Sequence, residues 1–292
     1  MNKSKRIISI LSIIIMILFS ACGKEDEMIS EKIELQTNGE EAFQNNPNVN
    51  FGAETPSEEN VQKSILDFLN VAIQPVGKTM YVWGGGWNEA DTAAGVEAVT
   101  LGVSPRWEEF ASKQNAAYDY NTTRYQIHDG LDCSGYVGWA VYNILETENG
   151  KDGYVFSSTE MAWGYADQGL GDYIWVGSMR DWKAGDIMSM DGHVWIVVGM
   201  CDDGSVLLLH SSPPGVMFNG TKLENGTKSQ AVALAEHVMS TYYPEWYAKY
   251  PDCARPYSYL TSSSAMRWNR EILLDNEGLT AMKAEEIIDM LF

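Results

Sequence analysis

The chain reads as an α+β fold: a central helix packed on a small antiparallel sheet. Two stretches predict this. The first is Asp129-Gly130-Leu131-Asp132-Cys133-Ser134-Gly135, followed by apolar Tyr136, Val137, Trp139, Ala140, Val141 and Ile144 at helical spacing. The second is a pair of nearly continuous apolar runs, 193–200 and 206–211, flanking the turn Asp202-Asp203-Gly204-Ser205. That pattern predicts a hairpin whose strands are covered on both faces.

The helix start carries chemistry. Asp132 is a good N-cap residue, so Cys133 falls in the first helical turn. There the unpaired N–H groups and the positive end of the helix dipole favour a thiolate over a thiol. The competing reading is a small buried residue at the head of a core helix. A cysteine nucleophile also needs a base, and the base needs an orienting group. Of the four histidines, His237 belongs to an expected surface helix and His128 to the loop approaching Cys133. His193 opens a strand after the turn Asp191-Gly192, and His210 closes the partner strand. With Asp203-Gly204 as the centre of the hairpin, His210 stands opposite Val197, on the same face as His193. The two rings are then about 13 Å apart along the strand, and contact between them needs a bulge, strong twist or a looser turn.

Around this centre the elements follow in order. Residues 61–72 carry apolar groups at helical spacing and stop at Pro75. Tyr81-Val82-Trp83-Gly84-Gly85-Gly86-Trp87 is a short apolar piece ending in glycines, which let backbone approach backbone or a ligand. Residues 88–130 form a long polar and aromatic segment with a short helix expected from Ser104 to Phe110. A loop of that length is usually functional or carries its own structure. Ser157-Ser158-Thr159-Glu160 has the pattern of a capping box for a helix reaching Gln168. Gly185-Asp186 introduces a strand, Ile187–Met190. Helices are expected again at 230–243 and from Thr280 to the C-terminus. The tryptophans at 87, 107, 163, 175, 182 and 195 are expected mostly in the core, with those of the insertion 87–131 as candidates to line a saccharide or peptide groove.

The N-terminus stands apart from the fold. Lys3, Lys5 and Arg6 precede an apolar run, Ile7 to Phe19, and small residues Ser20-Ala21 stand before Cys22, the order of a secretory signal. The run is too short to span a membrane, which takes about 20 residues. Leu18-Phe19-Ser20-Ala21-Cys22 resembles a bacterial lipobox, which implies a diacylated Cys22 as mature N-terminus. The organisation expected is thus a signal peptide (1–21), a lipid-anchored tether (22–60) and one catalytic domain (61–292). The tether, rich in Glu, Asn, Gly and Ser, would span about 35 Å as a flexible coil.

Composition narrows the partners. The chain has 292 residues, 20 Lys and Arg against 40 Asp and Glu, and a formal charge of −20. That excess argues against nucleic acid and against electrostatic attachment to anionic lipid. With 45% hydrophobic residues, it can bury a sizeable core. Four cysteines without a C-x-x-C pair give no zinc spacing and no disulfide framework, although Cys201 and Cys253 would be able to pair outside the cytoplasm.

Taken together, Tyr81-Val82-Trp83-Gly84-Gly85, Asp132-Cys133-Ser134-Gly135-Tyr136-Val137, Gly185-Asp186-Ile187, His193-Val194-Trp195-Ile196 and Leu209-His210-Ser211-Ser212 resemble the NlpC-type cell-wall cysteine peptidases, a papain-like family. The resemblance covers about residues 61–220. It implies a papain-like fold and hydrolysis of peptidoglycan stem peptides at the γ-D-glutamyl–diamino acid bond, with no metal or organic cofactor. It implies Cys133 as nucleophile, His193 as base and His210 as third polar residue, with Tyr81, Asp132 and Ser134 around the substrate. Two features depart from the family pattern, an insertion at 87–131 and a C-terminal extension at 221–292 expected to be helical. Two other readings use the same residues differently. One is a CHAP-like amidase cutting between muramic acid and L-Ala, and the other a lipoprotein that holds wall peptides without cutting them.

Overall fold

The computed structural model describes residues 62–145 and 153–292. The signal peptide, Cys22 and the whole of the tether lie outside the described residues.

Helix α1 (Ile65–Ile73) begins at Ser64, whose hydroxyl accepts from the Asp67 amide while Asp67 Oδ2 accepts from the Ser64 amide at 2.8 Å. This reciprocal capping sets the start three residues later than periodicity alone indicates. Helix α2 (Pro105–Ser112) is the short helix expected in the insertion, capped by Ser104 with Pro at its first position. Helix α3 (Cys133–Leu145) has eleven of its 13 residues buried, so it is enclosed on all sides. Helix α4 (Met161–Asp167) starts later than the Ser157 pattern predicts. The Ser157 hydroxyl binds the Glu160 carboxylate at 2.6 Å, which closes a turn before the helix instead of capping it.

Seven strands form a single sheet among the described residues: β1 (Gly171–Ile174), β2 (Ile187–Met190), β3 (His193–Met200), β4 (Val206–Ser212), β5 (Gly215–Thr221), β6 (Ala254–Arg255) and β7 (Ser264–Trp268). Their spatial order is β1-β7-β2-β3-β4-β5-β6, antiparallel except for the β5–β6 pair. The fold is thus α+β with a mostly antiparallel sheet, as the sequence predicts, but the sheet is larger than the predicted hairpin and its neighbour. On one face Val194, Ile196, Val198, Leu207 and Leu209 share a core with α1 and α3. On the other, Met188, Trp195, Val197 and Leu208 pack with Tyr259, Leu260 and Ala265.

The C-terminal extension is not an all-helical appendage. It supplies helices α5 (Gln230–Tyr242), α6 (Pro244–Lys249), α7 (Ser258–Thr261) and α8 (Ala284–Leu291), but also β6 and β7. Strand β7 inserts between β1 and β2, where Met266 stands opposite Ile187. An ion pair fixes this insertion: the Arg267 guanidinium binds both oxygens of Asp186, at 2.9 and 2.7 Å, and Asp186 is 1% exposed. Strand β7 has no clear signal in the sequence because Ser264 and Arg267 break up its apolar residues Ala265, Met266 and Trp268.

The insertion is equally built in. Trp107 is fully buried and meets Trp139 of α3 edge to face, with ring centroids 6.1 Å apart. The Gly102 carbonyl accepts from Trp139 Nε1 at 3.1 Å, and the Gly102 amide donates to Asn143 Oδ1 at 2.6 Å. Trp195 is core as expected, while Trp163 and Trp175 are exposed. Cys201 and Cys253 are free buried thiols, not a disulfide.

Candidate active site

The start of α3 is clamped by the segment 80–87. The Leu131 amide donates to the Met80 carbonyl at 3.2 Å and the Asp132 amide to the Gly85 carbonyl at 2.9 Å. Such close passage requires glycine on both sides. A Cβ on Gly135 would stand 2.0 Å from the Gly85 oxygen, and one on Gly86, whose φ is +91°, would stand 2.5 Å from the Gly135 Cα. The glycines therefore serve backbone approach.

Asp132 is the cap that its type predicts. Its Oδ1 accepts from the Gly135 amide at 2.7 Å and from the Ser134 hydroxyl at 3.0 Å, while Oδ2 accepts from the Gly84 amide at 3.2 Å. Ser134 Oγ in turn accepts from Trp87 Nε1 at 2.9 Å. Asp132 and Ser134 are thus spent on joining the glycine segment, the insertion and the helix start. Both also line the cavity at the thiol, with Tyr81, Trp87, Cys133 and Gly192, and its volume is about 180 Å³.

The sulfur of Cys133 is surrounded by amide N–H groups, its own, that of Ser134 and that of Val194 at the head of β3. These favour a thiolate. Burial outweighs them: desolvation first, then the neighbouring Asp132 carboxylate, push the thiol up to about 12. The expectation of a depressed thiol is therefore corrected. A helix terminus offers about half a charge, and full desolvation of a thiolate costs more than it returns. Asp132 is itself pushed up to about 6 by burial.

The histidines meet. His193 Nε2 lies 2.8 Å from His210 Nδ1, and the ring centroids are 4.9 Å apart. The 13 Å separation expected from a tight turn is overturned for two reasons. Met200 pairs with Val206 across a five-residue loop, and the register slips between Val197 and Gly199, so that Ile196 faces Leu209. Each change moves His210 one residue towards His193, and the bulge raises the local twist. Both rings lie on the sheet face that carries Trp195, packed against Tyr259 at centroid distances of 5.5 and 6.2 Å. Tyr259 also lies within electrostatic reach of Cys133. Burial lowers His193 to about 3 and His210 well below its usual range, with the Arg255 guanidinium as second cause for each.

Tyr81 is buried at the thiol cavity, edge-on to Tyr120 at 5.4 Å. Burial, Cys133 and Asp132 hold its hydroxyl far above the usual range, so it stays a hydrogen-bond donor. His128 binds Glu97 at 2.5 Å instead of approaching the thiol, and His237 is exposed on α5. The insertion adds a second cavity of about 350 Å³ lined by Trp83, Trp87, Glu89, Asp91, Tyr125 and His128. It shares Trp83, Gly84, Trp87 and Asp91 with the thiol cavity. A wider, open depression of about 700 Å³ by Trp182, Lys222 and Tyr257 holds neither cysteine nor histidine.

Three neighbours of the histidines escaped the sequence reading: Asn219, Arg255 and Tyr259. His210 Nε2 lies 2.7 Å from Asn219 Oδ1. The apolar run Val216-Met217-Phe218 after a Pro-Pro-Gly turn is a hairpin signal that would have placed Asn219 beside His210. Arg255 and Tyr259 have no such local signal, since only the return of the extension to the sheet brings them there.

Compared with known proteins, the chain matches no family model, no curated sequence and no solved structure.

Proposed function

We propose that the chain is a cysteine peptidase of the bacterial cell wall, cutting an amide bond in peptidoglycan stem peptides, with a papain-like arrangement of Cys133, His193 and His210. One observation carries this reading. Cys133 opens α3 next to the head of β3, whose first residue, His193, is bonded to His210 at 2.8 Å. This has the form of a nucleophile, a base and an orienting group.

The reaction follows from the residue types. As substrate fills the cavity, His193 takes the Cys133 proton and the sulfur attacks the amide carbonyl. The tetrahedral oxyanion is held by amide N–H groups at the start of α3 and by the Tyr81 hydroxyl. Protonated His193 gives its proton to the leaving amine, the C–N bond breaks and a thioester remains. His193 then takes a proton from water, the hydroxide attacks the thioester, and Cys133 recovers the proton as the acid leaves. The neutral resting pair suits this order, because the charge separation is made only once substrate is bound. The cavity built by the insertion supports an extended substrate, with aromatic walls running on from the thiol.

Attachment to the outer face of the cell membrane through Cys22 would place such an enzyme beside the wall. The test is digestion of purified wall by the intact chain and by Cys133→Ala, with mass spectrometry of the products. A new diamino-acid N-terminus, made by the wild type alone, is the expected result. Equal products from both proteins would sink the proposal, and a new L-Ala N-terminus would convert it to an amidase.

A further inference from the structure

The hydrogen-bonded chain behind the thiol does not stop at His210. Asn219, fully buried on β5, donates from Nδ2 to the backbone carbonyl of Asp252 at 3.2 Å. A carbonyl oxygen only accepts, so the amide nitrogen of Asn219 must point there and Oδ1 must face His210. Oδ1 also only accepts, so at 2.7 Å the proton between them sits on His210 Nε2. A neutral imidazole has a single N–H. His210 Nδ1 is then a lone pair, and at 2.8 Å it receives the N–H of His193 Nε2. The same count leaves His193 Nδ1 unprotonated. The reverse relay would set the Asn219 oxygen against the Asp252 oxygen.

We propose that Asn219, oriented by the Asp252 backbone carbonyl, is a positioning residue that locks both histidines in one tautomer and leaves His193 Nδ1 as the lone pair that receives the thiol proton. The role of that lone pair rests on the peptidase reading above; the lock itself does not. The lock explains why residues beyond 220 return to the sheet at this place. Strand β6 pairs with β5 through Gly220 and Ala254, which holds the Asp252 carbonyl against Asn219. The two residues that shield the histidines come from the same return. Arg255, its side chain 11% exposed, donates to the Ala254 carbonyl at 2.8 Å, and Tyr259 packs on both rings. Burial and that guanidinium keep the rings neutral, the condition under which a single proton per ring makes the relay unambiguous.

The direct test is the ¹⁵N–¹H long-range spectrum of histidine-labelled Cys133→Ala in the full chain near neutral pH, where no thiol can exchange protons with His193. Both His193 and His210 are expected as Nε2–H forms with an unprotonated Nδ1. An Nδ1–H form at either ring would overturn the proposal. Asn219→Leu removes the acceptor and is expected to populate the Nδ1–H form of His193. In the chain with Cys133 intact the same change should lower kcat about 10- to 100-fold with KM within about twofold. Asn219→Asp keeps an acceptor and should keep the wild-type tautomers. Unchanged tautomers in Asn219→Leu would overturn the lock, and if that variant does not fold the Cys133→Ala spectrum decides alone. Absence of wall digestion by the wild type would strike the peptidase reading, while the spectrum would still decide the lock.

Discussion

His210 Nδ1 lies 2.8 Å from His193 Nε2 with both rings buried, so two groups that would titrate near neutrality in water are held neutral. The sign of the consequence follows from the direction of the shifts. Both pKa values are lowered in the folded chain, so the unfolded chain binds protons first as pH falls. Stability from this pair is complete above about 6.5 and is lost as pH falls, down to about 3 for His193, by on the order of 1 kcal/mol per pH unit per histidine at most. Urea midpoints measured from pH 8 to pH 4 should fall on acidification, and His210→Gln should fall less steeply. Parallel slopes in the two proteins would contradict neutral burial.

The resting thiol should be slow to alkylate. With Cys133 pushed up to about 12, little thiolate exists at neutral pH. The rate with iodoacetamide should rise about tenfold per pH unit through the alkaline range, as long as the fold persists. A plateau reached below pH 8 would mean that the helix terminus wins over burial after all.

Tyr81 offers a donor to the developing oxyanion. Tyr81→Phe should lower kcat by about 10²-fold and leave KM nearly unchanged, because the lost bond forms only in the transition state. An equal rise in KM with kcat intact would assign the hydroxyl to ground-state binding.

Gly135→Ala tests the clamp between the glycine segment and α3. The new Cβ would stand 2.0 Å from the Gly85 oxygen, so the two backbones must part. A loss of about 3 kcal/mol or more is expected in chemical denaturation. A change below about 0.5 kcal/mol would show the contact to be loose.

Arg267→Met leaves the 1%-exposed carboxylate of Asp186 without its cation. The expected cost is about 3–5 kcal/mol. The double variant Asp186→Leu/Arg267→Met should recover part of it, since apolar replacement of a buried pair removes the desolvation cost. Additive losses would show that the pair does more than compensate its own burial.

What the sequence by itself determined is local. Asp132 announces the start of α3 because a short acceptor side chain at that place satisfies the helix amides, and the apolar runs around Asp202-Asp203-Gly204-Ser205 announce β3 and β4. The glycines at 84–86 announce a backbone contact without naming its partner. The tertiary structure decided what depends on distant chain. Whether His193 reaches His210 turned on one bulge and one loop residue, which a period-two pattern cannot encode. Whether Cys133 rests as thiol or thiolate turned on how completely the site is buried. The rest of the histidines' setting, Asp252, Arg255 and Tyr259, exists only because the extension returns to the sheet. Burial and register are properties of the assembled fold, and they govern protonation more strongly than any neighbour in sequence.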